Sequence, residues 1–136
     1  METDFILQGK VLWSYADEYA QISESVKFTA SLISLGSPLH NHAGYIALTE
    51  NQLIIEGLNN DPDLTISLST INEIYLGFDE VFTPASVKNL GALWQPLRIN
   101  FYTGHSLETV YLIIDHNGLF THNKTWYETL ISILQT

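Results

Sequence analysis

The 136-residue sequence contains no cysteine, which excludes disulfides, zinc–thiolate sites and thiol catalysis. A chain without cysteine is typical of a reducing compartment. No run of residues approaches the 18 apolar positions of a transmembrane helix. The first eight residues are acidic, whereas a secretory signal begins with basic residues and continues into a longer apolar run. We therefore expect a cytoplasmic protein.

Positive charge is scarce. Five Lys and Arg oppose fifteen Asp and Glu, which gives a formal net charge of −10. The cations are dispersed along the chain, and they are Lys10, Lys27, Lys88, Arg98 and Lys124. Nucleic acids and anionic membranes bind clustered cations, and a strongly acidic protein repels a polyanion. The composition therefore predicts binding to neither of them.

Motifs for catalysis or cofactor binding are also lacking. The sequence has no Gly-x-Ser-x-Gly elbow for a nucleophilic serine and no glycine-rich loop for phosphate. The acidic turn Asp61-Pro62-Asp63 lacks the regular ligand spacing of a calcium loop. We expect a non-catalytic chain that needs no cofactor.

Apolar residues make up 46% of the sequence, enough for one hydrophobic core, and the length fits a single domain over residues 1–136. Residues 1–25 are the least defined part, with a strand over 5–15 that breaks at Gly9-Lys10. Alternating apolar residues predict further strands over 26–32, 64–68 and 97–101, and two short apolar runs around a polar turn predict a hairpin over 45–48 and 53–55. The turn at 103–106 leads the strand over 97–101 into another over 110–114, which carries Val110, Leu112 and Ile114. Ile71 and Ile74 follow at helix-turn spacing.

The chain ends on a helical period. Apolar residues share one face of a helix over 124–134, and Asn123 is the expected N-cap. A meander of short strands must curl into a barrel or sandwich to protect its edges, and this helix can close one end. We expect a mainly β fold whose buried side chains include Leu97, Ile99, Phe101, Leu112, Ile114 and Trp126.

Three stretches carry a resemblance to a known fold. They are Gly44-Tyr45-Ile46-Ala47-Leu48-Thr49, then Leu53-Ile54-Ile55-Glu56-Gly57, then Leu64-Thr65-Ile66-Ser67-Leu68 with Ile71 and Ile74. Together with the late hairpin and a final helix that carries Trp126 near its start, residues 44–134 resemble the pleckstrin-homology-like superfold, in particular its bacterial and GRAM-type branch.

The resemblance implies two packed antiparallel sheets that form a partly open barrel, with the helix capping one end. It also implies a module without catalytic residues that binds lipids, peptides or other proteins, or acts as a scaffold. One feature departs from the family. Phosphoinositide-binding members place several cations around the loop between their first two strands, where this sequence has only Lys27.

The motif His40-Asn41-His42 supports a different hypothesis. On a strand, His40 and His42 point to one face and can share a metal. With Glu50 they partly resemble the first cupin motif, which would make the chain a metal-dependent enzyme, although the spacings around Gly36 and Glu50 depart from that motif. The alternative is a polar loop that contains two histidines.

Residues 78–96 form a long connection that is unusually rich in large apolar side chains. Either these side chains join the core of the domain, or they form an interaction surface whose candidates are Phe78, Phe82, Leu90, Leu93 and Trp94. The functional hypothesis is a non-catalytic binding or scaffold module that contacts a protein partner or a second copy of itself. A carrier of a small apolar ligand, held in the barrel mouth, is a further alternative.

Overall fold

The computed structural model describes residues 5–21, 40–84 and 93–135. These described residues form seven strands and two helices. They are β1 (Leu7–Tyr15), α1 (Ala16–Ala20), β2 (His42–Leu48), β3 (Gln52–Gly57), β4 (Leu64–Ser67), β5 (Ile71–Leu76), β6 (Leu97–Thr103), β7 (Ser106–Ile114) and α2 (Asn123–Leu134), with a 3₁₀ turn (Leu68–Thr70) between β4 and β5.

All seven strands belong to one antiparallel sheet in the order β4-β3-β2-β1-β7-β6-β5. The sheet curls into a nearly closed barrel, and α2 packs against β5, β6 and β7. The predicted mainly β fold with one C-terminal helix is therefore confirmed. Within the described ranges, no helix is long and apolar enough to cross a membrane.

The barrel interior holds the main hydrophobic core. Val11 and Trp13 of β1 meet alternate residues of the other strands, and α2 contributes Trp126 and Leu130. The six side chains expected in the core are all buried, each with at most 2% of its surface exposed: Leu97, Ile99, Phe101, Leu112, Ile114 and Trp126. The period-two alternation of β6 and β7 predicts this result because it assigns one face of each strand to the barrel interior.

Strand β5 accounts for the helix-like spacing of Ile71 and Ile74. The pairing with β6 shifts register between Ile71 and Glu73, as in a β-bulge. A bulge adds one residue to a strand, so two side chains three positions apart point to the same face. Both isoleucines consequently pack against the barrel core from a strand.

Strand β1 runs through Gly9 without a break, so the predicted interruption at Gly9-Lys10 is wrong. A Cβ atom at Gly9 would lie 2.7 Å from a carboxylate oxygen of Asp115, and the backbone N–H of Lys10 donates to that carboxylate at 2.8 Å. The glycine therefore permits a close approach of the chain after β7. The strand predicted over 26–32 lies outside the described residues.

Helix α2 begins at Asn123, and His122 occupies the N-cap position, so the prediction of Asn123 as N-cap is wrong. The Asn123 side chain is buried and turned to the sheet. Its Oδ1 accepts a hydrogen bond from the Ile114 N–H at 2.8 Å, and its Nδ2 donates to the carbonyl oxygens of Leu112 and Gln95. Asn123 thereby fastens the helix to the end of β7.

Candidate functional site

A second apolar cluster lies on the outer face of the barrel. It consists of Tyr19, Phe82, Trp94, Tyr111 and Ile113. Tyr111 and Ile113 are the β7 residues that point away from the interior, and α1 together with the connection after β5 covers them. The Tyr19 and Phe82 rings stack with centroids 4.5 Å apart, and Phe82 also meets Trp94 edge-on. We call this region the covered half.

The covered half contains the apolar side chains of the described parts of residues 78–96. Phe82 is 1% exposed and Trp94 is 7% exposed, so the prediction that these two rings form an exposed interaction surface is wrong. Phe78 and Leu93 are partly buried against the same cluster. Leu90 lies outside the described residues. The alternative, burial within the domain, is the arrangement that the structure shows for the two largest rings.

The sequence does contain a signal for this cover. Residues 110–114 read Val-Tyr-Leu-Ile-Ile, a continuous apolar run rather than an alternating one. Such runs are typical of strands that are buried on both faces. The outward side chains of β7 therefore required a second layer, and the apolar connection supplies it.

Asp79 pins this connection to the barrel. Its Oδ2 accepts hydrogen bonds from the Tyr111 hydroxyl at 2.7 Å and from Arg98 Nη1 at 3.0 Å, and its Oδ1 accepts from the backbone N–H groups of Val81 and Phe82. Burial raises the pKa of Asp79, but these hydrogen bonds outweigh burial and lower the pKa below its usual range. Burial, reinforced by Asp79, raises the pKa of Tyr111.

His42 lies between two carboxylates instead of facing a metal. Its Nε2 is 2.8 Å from both carboxylate oxygens of Glu18, and its Nδ1 is 3.2 Å from Oδ1 of Asp61. An ionised carboxylate only accepts hydrogen bonds, so the imidazole satisfies both neighbours when it carries two N–H groups. Both ring nitrogens are thus engaged by carboxylates of the chain itself.

Glu50, the carboxylate of the hypothetical cupin-like site, does not converge on His42. Glu50 follows the opposite end of β2, at least about 20 Å from His42 for a strand of this length. Among the described residues, no group of three or more His, Asp or Glu is placed to hold a metal ion. The structure thus does not assemble the set His40, His42 and Glu50 at one point.

The contact between His42 and its carboxylates joins two parts of the fold. Glu18 belongs to α1, next to the covered half, while Asp61 belongs to the loop between β3 and β4. The backbone N–H of Ala43 donates to Oδ2 of Asp61 at 2.9 Å. That backbone hydrogen bond, followed by the one from His42, lowers the pKa of Asp61.

The outer face of β1, β2 and β3 is built differently from the covered half. Two rows of side chains cross it, because Lys10 pairs with Tyr45 and Tyr45 with Glu56, while Gln8 pairs with Ala47 and Ala47 with Ile54. Tyr45 is 50% exposed. Phe5, just before β1, is 44% exposed. We call this region the open face and define it by Phe5, Gln8, Lys10, Tyr45, Ala47, Ile54 and Glu56.

A groove of about 500 Å³ runs over the open face, with Phe5, Tyr45 and Ile54 among its lining residues. A second depression of similar size shares Ile54 and Glu56 with it and continues toward the loop between β3 and β4. This continuation contains Asp61 and Asp63. The groove therefore has an apolar floor with Lys10 and Asp115 at one side, and its continuation beyond Glu56 is acidic.

Sequence reasoning did not single out the open face. Its signal is present in Tyr45-Ile46-Ala47-Leu48, where all four residues are apolar although only Ile46 and Leu48 reach the interior. Alternation identifies the two faces of a strand but not the face that another segment will cover. The exposure of Tyr45 was consequently not predictable from local pattern.

Comparison with known proteins supports the architecture alone. The fold is similar to the crystal structure of the C-terminal domain of an unknown protein from Leishmania infantum, with a TM-score of 0.56 and 13% sequence identity. The alignment covers 98% of this chain and 85% of that one. No protein-family model and no curated protein matches the chain.

Proposed function

We propose that the chain is a non-catalytic protein-binding module whose partner docks on the open face. The observation that carries the proposal is the groove itself, in which solvent-exposed Phe5 and Tyr45 stand beside Ile54. Aromatic side chains in a surface depression dominate the binding energy of many protein interfaces, since they bury a large area on contact.

The overall architecture supports a binding module. Support comes from the antiparallel barrel and its C-terminal helix, since the resemblance to the pleckstrin-homology-like superfold implies an antiparallel barrel capped by such a helix. Domains of that type mostly bind peptides, proteins or lipids, or serve as scaffolds. A fold alone does not define a function, so the charge of the groove has to distinguish between these kinds of partner. Lys10 is the one Lys or Arg among the described residues that line the groove, and the chain carries a net charge of −10, which favours a protein over an anionic lipid.

The packed barrel supports surface binding over transport of an apolar ligand. Trp13, Phe101 and Trp126 occupy the interior, each with at most 2% of its surface exposed. Small barrels are commonly filled by their own side chains, and a ligand would have to displace these large rings. The groove on the open face needs no such displacement.

Selection from a displayed library of random peptides, each about twelve residues long, tests the proposal. We expect the immobilised chain to enrich peptides whose affinity falls about tenfold or more in the double variant Tyr45→Ser with Ile54→Ser, because truncated anchor residues typically cost this much. A matched control is Tyr102→Ser with Leu107→Ser, a cross-strand pair on the β6–β7 hairpin that is 47% and 48% exposed.

The control pair should change affinity less than twofold, and both double variants should keep the circular dichroism spectrum of the native chain. Peptides that bind both variants equally would place the binding surface elsewhere on the molecule. A library that gives no binder to the native chain would remove the proposal that the open face recognises a peptide segment.

A further inference from the structure

We infer that the partner segment carries a Lys or Arg next to its apolar anchor, and that this cation lies at the Glu56 end of the groove. The inference rests on the proposed function and adds to it the chemistry and the direction of the occupant. Its three supports are the shape of the apolar floor, the carboxylates at one end, and the position of Lys10 at the other.

The apolar floor provides a seat for one side chain. Ala47 lies in the middle of its row, between Gln8 and Ile54, and its methyl group is much shorter than its neighbours. The next row places the Tyr45 ring beside it, and Phe5 lines the same groove. A short residue flanked by larger ones leaves a depression that an aliphatic or aromatic side chain of a partner fits.

Two of the carboxylates at the acidic end, Asp61 and Asp63, are held in place by hydrogen bonds within the chain. Oδ1 of Asp63 accepts a hydrogen bond from the Gly57 N–H at 2.8 Å, which holds Asp63 next to Glu56. Asp61 is held by the Ala43 N–H and by His42. Because Asp61 already has these two partners within the chain, we assign the partner's cation to Glu56 and Asp63. Groups already fixed in place lose little entropy when a cation binds them.

Lys10 sets the direction of the segment. Lys10 and Glu56 lie on opposite sides of Tyr45 in one cross-strand row, which places their backbones about 10 Å apart. Asp115 also lines the Lys10 side, but its carboxylate already accepts the Lys10 N–H and contacts His122 Nδ1 at 2.7 Å. A cation on the partner is therefore repelled by Lys10 on that side and attracted by Glu56 on the other. The whole chain carries a net charge of −10, and the resulting field attracts a cationic segment and repels a second copy of the same acidic chain.

The test uses the peptides selected on the native chain and measures their affinity by fluorescence anisotropy at low and high salt. We expect most of them to carry Lys or Arg within two positions of an aliphatic or aromatic residue. Glu56→Lys should weaken their binding about fivefold or more, because the substitution replaces an attraction to the peptide's cation by a repulsion. The affinity of the native chain should fall as the salt concentration increases, because salt screens that attraction.

Glu50→Lys is the matched control, because it changes the net charge equally but lies in the turn between β2 and β3, among the lining of a different depression. We expect it to weaken binding less than twofold. Equal weakening by both variants would mean that only the overall charge matters, which overturns the inference of a cation at the Glu56 end.

The outcomes separate this inference from the proposed function. Peptides without cations that lose affinity with Tyr45→Ser and Ile54→Ser, but not with Glu56→Lys, would leave the open face as the binding site and refute the cationic occupant. A concentration-dependent dimer that Tyr45→Ser and Ile54→Ser convert to a monomer would replace the cationic segment by a second copy. Binders that tolerate every one of these variants would refute both.

Discussion

The covered half and the open face are two outer surfaces of the same barrel, and β1 takes part in both. Leu12 of β1 packs under the cover, whereas Lys10, two residues earlier, lies on the open face. Both surfaces carry outward-pointing apolar side chains. On one of them, Phe82 and Trp94 of the chain itself exclude water. An apolar side chain thus indicates a partner only when no other part of the chain covers it.

The largest expected difference between the two surfaces is in stability. Phe82→Ala should lower the free energy of unfolding by about 3–5 kcal/mol, because the ring is fully buried and its removal leaves a cavity between Tyr19 and Trp94. Tyr45→Ala on the open face should lower it by less than about 1 kcal/mol. Urea denaturation of both variants measures the contrast, and equal losses would abolish the distinction between the surfaces.

Asp79 gives the next largest effect. Asp79→Ala should lower the free energy of unfolding by about 2–4 kcal/mol, because it removes the acceptor of four donors: the Val81 and Phe82 N–H groups, the Tyr111 hydroxyl and Nη1 of Arg98. Glu73→Ala is the control. Glu73 also pairs with Arg98, at 2.6 Å, but its side chain is 52% exposed, so its loss should cost less than about 1 kcal/mol.

Similar costs for the two variants, measured by thermal or urea denaturation, would show that the connection after β5 is held by its aromatic contacts and not by Asp79. The difference in stability between the covered half and the open face would then come from packing alone. A larger cost for Glu73→Ala than for Asp79→Ala would contradict the assigned network directly.

Local pattern was sufficient for much of the fold. The hairpins β2–β3 and β6–β7 and the helix α2 were predictable because each has a hydrophobic period that can be read within ten residues. The β6–β7 turn is also signalled locally, since Gly104 adopts a φ of 63° in a two-residue loop. Contacts between remote segments were not predictable. The close approach of Asp115 to Gly9 and the stacking of Tyr19 on Phe82 each join residues distant in the chain.

The candidate site was less predictable than the fold for the same reason. Its residues come from three strands and from the segment before β1, and none belongs to a motif of reactive groups. Recognising it requires the sheet register, which places Lys10, Tyr45 and Glu56 side by side, and the location of the cover, which the tertiary structure determines.

Acid should weaken the covered half through Asp79. Its pKa is lowered in the folded state, so the unfolded chain binds the proton more readily and the stabilising effect is lost as pH falls. The loss begins near the ordinary value of 3.8 and continues below it. Asp79→Asn removes this titration, so the stability gap between the native chain and the variant should narrow on acidification.

Urea denaturation at neutral pH and at progressively lower pH measures that gap. Asp61→Asn is a useful comparison, because the pKa of Asp61 is lowered too, but by contacts with Ala43 and His42 outside the covered half. A gap for Asp79→Asn that stays constant or widens as pH falls would contradict the assigned role of its hydrogen bonds.

The last prediction is that neither surface binds a polyanion. On the covered half, Arg98 already donates to Asp79 and Glu73. On the open face, Lys10 lines the same groove as two carboxylates, Glu56 and Asp115. Of the described cations, these two therefore form no cluster able to release counterions from phosphates.

At physiological salt, we expect no saturable binding to vesicles that contain phosphatidylserine, measured by cosedimentation, and none to duplex DNA, measured by fluorescence anisotropy. Binding that Lys10→Glu abolishes would show that the open face accepts anions, and it would contradict the cationic partner segment.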